Sequence, residues 1–169
     1  LALYLTDKPR ALVIGPGGGR DILAGLAFDA TSVTAIELNP LIVNFVQETF
    51  GDFSGRPYTA PRVETHIDEG RAFVRRSPER YDFIQASLVD TWAATSAGAY
   101  TLSENALYTV EAFEDYFAHL APGGIVTMSR FYTEPPGQTL RLVSLAAAAF
   151  EKLGVTDLRQ HVLVARTPY

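Results

Sequence analysis

The stretch Ala11-Leu12-Val13-Ile14-Gly15-Pro16-Gly17-Gly18-Gly19-Arg20-Asp21 leaves this chain few folds to choose from. Four apolar residues run without a break, a glycine cluster interrupts them, and an amphipathic segment follows, which reads as strand, tight turn and helix. A short continuous apolar run marks a strand buried on both faces, the habit of parallel sheets. Glycines at its carboxyl end allow positive φ and a close approach of backbone to ligand. Glu37 follows Gly15 by twenty-two positions, at the end of the next strand and close to the offset from which a carboxylate grips a ribose diol. Loop and carboxylate together define a nucleoside site.

The rest of the chain repeats the alternation. Strands are expected at 11–14, 32–36, 62–67, 83–86 and 125–128, and a last one at 161–165. Ile22, Leu23, Leu26 and Ala27 give the first helix one face, which Gly25 weakens. Asn39-Pro40 starts a second helix, with asparagine as cap and proline at the first helical position, and Leu41, Ile42, Phe45, Val46 and Phe50 as its buried stripe. Residues 51–61, rich in glycine and proline, read as loop. A short helix runs through Phe73 and Val74, and Arg75-Arg76 at its end complements the dipole. Thr109 caps a helix carrying Val110, Phe113, Phe117 and Leu120, and a long alanine-rich helix covers 139–153. The pattern predicts an α/β fold, a doubly wound, mostly parallel Rossmann-like sheet with helices on both faces, formed by one domain over residues 1–169.

Composition narrows the function. A net charge of −5 argues against general affinity for nucleic acid or anionic lipid. Without cysteine there is no disulfide or thiolate metal site, and His66, His119 and His161 have no metal-ligand spacing, so no metal is expected. No apolar run approaches the ~18 residues that cross a bilayer. The expectation is a soluble segment without membrane contact, cytoplasmic or the cytoplasmic part of a membrane protein. A start without methionine and an end just after a strand suggest a piece of a longer protein.

Three kinds of binder place a glycine loop after a first strand. The phosphate loop of nucleotide hydrolases needs Lys and then Ser or Thr, where this chain has Arg20-Asp21. The dinucleotide fingerprint puts a glycine where Arg20 stands, which counts against a nicotinamide-dependent dehydrogenase. The spacing Gly15-x-Gly17-x-Gly19 suits a phosphate-free ligand, an adenosine with an amino acid tail.

Five stretches in order, residues 12–19, 33–40, 62–71, 81–84 and 120–124, resemble the class I S-adenosylmethionine-dependent methyltransferase fold and, within it, the spermidine synthase branch. The resemblance implies a sheet of class I methyltransferase type, truncated here before its last strand. It assigns the loop Gly15, Pro16, Gly17 and Gly19 to the methionine tail of S-adenosylmethionine or decarboxylated S-adenosylmethionine, and Glu37, with Leu38 beside it, to the ribose. Glu69 of the pair Glu69-Gly70 would accept from the adenine amino group, with Asp68 a near alternative. Ser87, at the end of the fourth strand, lies at the same rim. The acceptor would be a small molecule, such as an amine, and a homodimer is compatible with the resemblance.

The chain departs from that family in three places. Spermidine synthases carry Asp-Ser-x-Asp after the fourth strand, and its first aspartate helps to deprotonate the amine. Here the segment is Ser87-Leu88-Val89-Asp90, and a serine hydroxyl is a poor base. Asp90 is left as the candidate for acceptor positioning or base. A loop aspartate that holds the donor's amino group is replaced by Gly18, and Asp21 either substitutes for it or simply favours the helix dipole. The small β-rich domain that precedes the synthase core is missing from this sequence, whose first strand begins by residue 11; either it was trimmed away or the protein never had one. Thr91, Trp92, Tyr100 and Tyr108 either line an acceptor pocket or pin the 87–108 segment. Two readings follow: a transferase moving a methyl or aminopropyl unit, or a binding module of a larger protein that keeps the pocket without the chemistry.

Overall fold

The computed structural model describes residues 2–89, 106–132 and 134–166. Five strands, β1 (Arg10–Ile14), β2 (Ser32–Glu37), β3 (Val63–Ile67), β4 (Tyr81–Ser87) and β5 (Leu120–Ser129), form one parallel sheet in the order β3-β2-β1-β4-β5. Chain order reverses across β1, whose neighbours are β2 and β4. In open parallel sheets this is where the crevice beyond the strand ends takes a ligand.

Alternation along the strands divides the core between the two faces. Leu12 and Ile14 join Ile36, Ile84 and Ala86 in one cluster, under Val74 of α4 (Gly70–Arg76) and Ala112 and Tyr116 of α5 (Val110–Ala118). Ala11 and Val13 join Val33, Ala35 and Phe83 in the other, under Ile22 of α1 (Arg20–Ala27). Because both faces are covered, β1 carries no polar residue between Ala11 and Ile14. A third cluster docks α6 (Gly137–Lys152) on α5 through Phe113, Ala146 and Ala149, and the rings of Phe117 and Phe150 stack with centroids 4.3 Å apart. Among the described residues no helix is long and apolar enough to cross a membrane.

Both expected caps form. The Asn39 side chain accepts from the Leu41 amide at 2.9 Å ahead of α2 (Pro40–Asn44), and Thr109 Oγ1 accepts from the Ala112 amide at 3.1 Å.

Several expectations require correction. After α2 the helix continues as a π turn, Phe45–Thr49. The inward phase is already set in α2, ahead of the π turn: Val43, Val46 and Gln47 face the core, so of the expected stripe only Val46 packs inward. Gln47 is buried, and Leu41, Phe45 and Phe50 are exposed. The 51–61 loop contains a single turn of helix, α3 (Gly51–Ser54), and a 3-10 turn, Pro57–Thr59. In α1 the buried face holds Asp21, Ile22 and Gly25, while Leu23 is exposed. A Cβ on Gly25 would lie 3.3 Å from Val33 Cγ2, so this glycine brings helix and sheet close together. The β5 strand starts at Leu120, and its pairing with β4 jumps from Tyr81↔Leu120 to Phe83↔Ile125 around the Pro122-Gly123-Gly124 bulge.

The strand expected at 161–165 does not form. Residues 158–160 make a 3-10 turn, and Leu163 and Val164 stand exposed. A period-2 pattern becomes a strand only where a sheet edge accepts its hydrogen bonds, and among the described residues the sheet ends at β5.

Candidate functional site

The carboxyl ends of β3, β2, β1 and β4 lie side by side, and four of the sequence-predicted segments meet on that rim. Beyond β1, the chain turns on Gly15, Gly17 and Gly19 with φ of 63°, 54° and 86°. The Gly15 amide donates to the Ile36 carbonyl at 2.8 Å, which ties the start of the turn to β2. A Cβ on Gly17 or Gly18 would meet no atom within 4 Å, so bare backbone faces open volume there. By contrast, a Cβ on Gly15 would lie 2.8 Å from Val89 Cγ1, and one on Gly19 would lie 2.3 Å from Pro57 Cγ.

Glu37 is 6% exposed and hydrogen-bonded at both carboxylate oxygens. Its Oε2 accepts from the Gly17 amide at 3.2 Å and its Oε1 from the Asn39 amide at 3.0 Å. Each oxygen retains a further lone pair for a hydroxyl donor. The carboxylate therefore occupies a loop amide that a phosphate would need and places negative charge where a phosphate would lie. Leu38, next to it, is half exposed.

The acids after β3 hold the backbone. Glu69 caps α4, accepting from the Arg71 amide at 3.0 Å and the Ala72 amide at 2.7 Å. Asp68 Oδ1 accepts from the Glu69 amide at 2.8 Å, and its other oxygen pairs with Arg76. Arg76 is thus more than a solvated helix end, and Arg75 also approaches an acid, Asp115, at 3.9 Å. The Asp68 amide donates to the Glu37 carbonyl at 3.1 Å, joining the two acidic strand ends. Gly70 is glycine because a Cβ would lie 2.5 Å from Ile14 Cγ2.

Asp21 lies in the first turn of α1, where its Oδ1 accepts from Arg20 Nε at 3.1 Å. Ser87, 8% exposed, ends β4, and its Oγ accepts from Gln85 Nε2 at 2.6 Å. It pairs in register with Ser129. Asp90, Thr91, Trp92 and Tyr100 lie outside the described residues. Tyr108 packs in the core, its ring 4.0 Å from the Arg130 guanidinium carbon. The histidines serve locally: His66 reaches Glu64 at 3.0 Å, His119 reaches the Ser77 and Asp115 carbonyls, and His161 lies against Phe150.

Sequence reasoning missed a turn that touches the loop from behind. Tyr58, read as part of a loop, is 2% exposed and donates from its hydroxyl to the Gly17 carbonyl at 2.6 Å. Burial, followed by the charge of Glu37, pushes its pKa well above the usual phenol value.

The profile of the spermine/spermidine synthase domain matches residues 2–153. The chain is 28% identical over 129 residues to polyamine aminopropyltransferase 2 of Pseudomonas aeruginosa, a match over 75% of this chain and 35% of that protein. It is 24% identical over 131 residues to the polyamine aminopropyltransferase of Sulfolobus acidocaldarius, over 76% of this chain and 41% of that protein. The chain therefore spans well under half the length of these curated relatives. Its fold is similar to that of a spermidine synthase solved with the transition-state analogue AdoDATO, with a TM-score of 0.63 and 18% identity over 88% of this chain and 46% of that one.

Proposed function

The chain belongs to the spermine/spermidine synthase family, and from that premise we propose that it binds an S-adenosyl sulfonium nucleoside across the β1–β4 rim and passes an alkyl group to a small-molecule nucleophile. The observation that carries this reading is the engagement of Glu37 with Gly17. A carboxylate on the loop amide repels phosphate, accepts from ribose hydroxyls and attracts a sulfonium cation. The open side of Gly17 and Gly18 provides the cradle for the tail, so the residues present fit the ligand.

The names of the relatives favour aminopropyl transfer, with decarboxylated S-adenosylmethionine as donor and an amine as acceptor; methyl transfer from S-adenosylmethionine is the competing form. When bound, the sulfonium supplies a carbon activated toward attack and a neutral thioether as leaving group. The protein's part is to hold that carbon in line with the acceptor. In this arrangement Glu37 and Leu38 orient the ribose, Glu69 or Asp68 accepts from the adenine amino group, and Asp90 meets the acceptor.

A second reading, binding without turnover, rests on Ser87. Spermidine synthases place a carboxylate at this position, and here a buried hydroxyl accepts from the Gln85 amide. An alkylammonium acceptor must lose a proton before attack, and neither group is basic enough to take it.

Calorimetric titration with S-adenosylmethionine, its decarboxylated form and NAD tests the proposal. Sulfonium ligands should bind, NAD should not, and Glu37→Ala should weaken sulfonium binding by about tenfold or more, as expected for loss of a charged hydrogen-bond partner. Unchanged affinity in Glu37→Ala, or binding of NAD alone, overturns it. Tight sulfonium binding with no turnover over a panel of amines favours the second reading.

A further inference from the structure

Both backbone hydrogen-bonding groups of Gly17 are engaged within the protein. Its amide donates to Glu37, and its carbonyl accepts from Tyr58. Tyr58 and Pro57 are consecutive residues of one 3-10 turn, and the Pro57 ring lies against Gly19. Two of the three positive-φ glycines of this loop are therefore touched by a segment about forty residues further along the chain.

The turn is itself anchored. The buried Gln47 accepts from the Tyr58 amide at 3.1 Å and donates to Thr59 Oγ1 at 2.6 Å. Thr65 Oγ1, on β3, donates to the Tyr58 carbonyl at 2.7 Å, and Arg56 donates to the Gln47 carbonyl at 2.6 Å. Gln47 lies in the π turn and continues the inward face that Val43 of α2 begins. The line of contacts runs from helix through turn to loop with each link hydrogen-bonded.

We propose that Tyr58 is the positioning residue of the donor loop: by holding the Gly17 carbonyl against the turn, its hydroxyl keeps the loop in the shape in which Glu37 and the bare Gly17-Gly18 backbone face the sulfonium nucleoside together. The ligand in this statement rests on the function proposed above; the brace rests on the contacts alone. A glycine freed of this bond can rotate into other conformations, and a site that is competent for only a fraction of the time binds more weakly in proportion to that fraction. In this proposal the loop and Glu37, not Tyr58, contact the ligand, so the loss falls on association while the bound complex dissociates at its former rate.

Tyr58→Phe, which removes only the hydroxyl, tests this in two measurements. Stopped-flow binding of S-adenosylmethionine and decarboxylated S-adenosylmethionine should show an association rate lowered by about three- to tenfold, the effect of one net hydrogen bond, with dissociation unchanged. Hydrogen exchange of the ligand-free protein should be faster in peptides covering residues 15–22 and unaltered in β4 and β5. Thr59→Val, which removes the hydroxyl gripped by Gln47, should act in the same direction more weakly and substitutes for Tyr58→Phe if that variant does not fold. Unchanged loop exchange overturns the brace, and so does a loss confined to the dissociation rate. If the wild-type protein binds neither sulfonium compound, the proposed function falls, and loop exchange alone still decides the role of Tyr58.

Discussion

Gly17 and Gly19 share a left-handed backbone and differ in what stands beside them. At Gly17, alanine adds only backbone strain, because its Cβ projects into open volume. This should destabilise the fold by about 1 kcal/mol. At Gly19, the same substitution drives a Cβ into the Pro57 ring, and the combined strain and overpacking should remove about 2–4 kcal/mol. Urea unfolding of the two variants checks the difference, and equal losses would mean that the Pro57 contact is absent. The sequence shows that glycines are needed after β1 but not which neighbour demands each one. The placement of Glu37 at the end of β2 beside the glycine loop could be read at once, because its strand and its offset from Gly15 are local features. Tyr58 could not, because its partner is 41 residues distant and nothing nearby sets it apart from a surface tyrosine.

At the level of the helix, Glu69 has two demands on one carboxylate. It caps α4 through two amides, and it is the proposed acceptor for an adenine amino group. Glu69→Ala should lower the stability of the free protein by about 1 kcal/mol, the usual loss of an N-cap. The loss should be larger when measured with saturating S-adenosylmethionine, because ligand linkage is then weakened as well. Equal losses with and without ligand would reduce Glu69 to a cap. In α5 the Thr109 cap and the inward Phe113 are legible from sequence, whereas the buried Ala112 and Tyr116 fall outside the expected stripe and Leu120 opens β5 instead. The segment from α2 onward is not legible, because the core takes Val43, Val46 and Gln47 in place of the more apolar stripe through Leu41, Ile42 and Phe45. Residues 161–165 were misread for a related reason: their alternation is genuine, but strand formation depends on a neighbouring edge that their own sequence does not encode.

Across the whole molecule, each face of the sheet buries a tyrosine whose phenol is shifted, Tyr116 on the α5 face and Tyr58 on the α1 face. Burial raises the pKa of both phenols, with a smaller push from Tyr108 and Glu69 on Tyr116 and from Glu37 on Tyr58. A raised pKa means that the folded state retains protons which the unfolded chain releases above pH ~10. The stability they contribute is fully present below that pH and is lost as pH rises toward the folded values. Alkaline titration followed by tyrosinate absorbance and circular dichroism should show these phenols ionising only as the fold is lost. Tyr58→Phe and Tyr116→Phe should each flatten the alkaline limb of the stability curve; a limb unchanged in both variants would refute the assignment.

The rim has a consequence for how the chain matures. Val89 closes over Gly15, and Leu107 and Ile14 close over Gly70, so its walls come from stretches made early and late in synthesis. A chain emerging only through β3 would already carry the glycines and Glu37, yet it would have no closed pocket to offer. Completion of the rim therefore waits on the late segments: Gly15 and Gly70 gain Val89 and Leu107 as neighbours only after β4 and the residues beyond it have docked on β1.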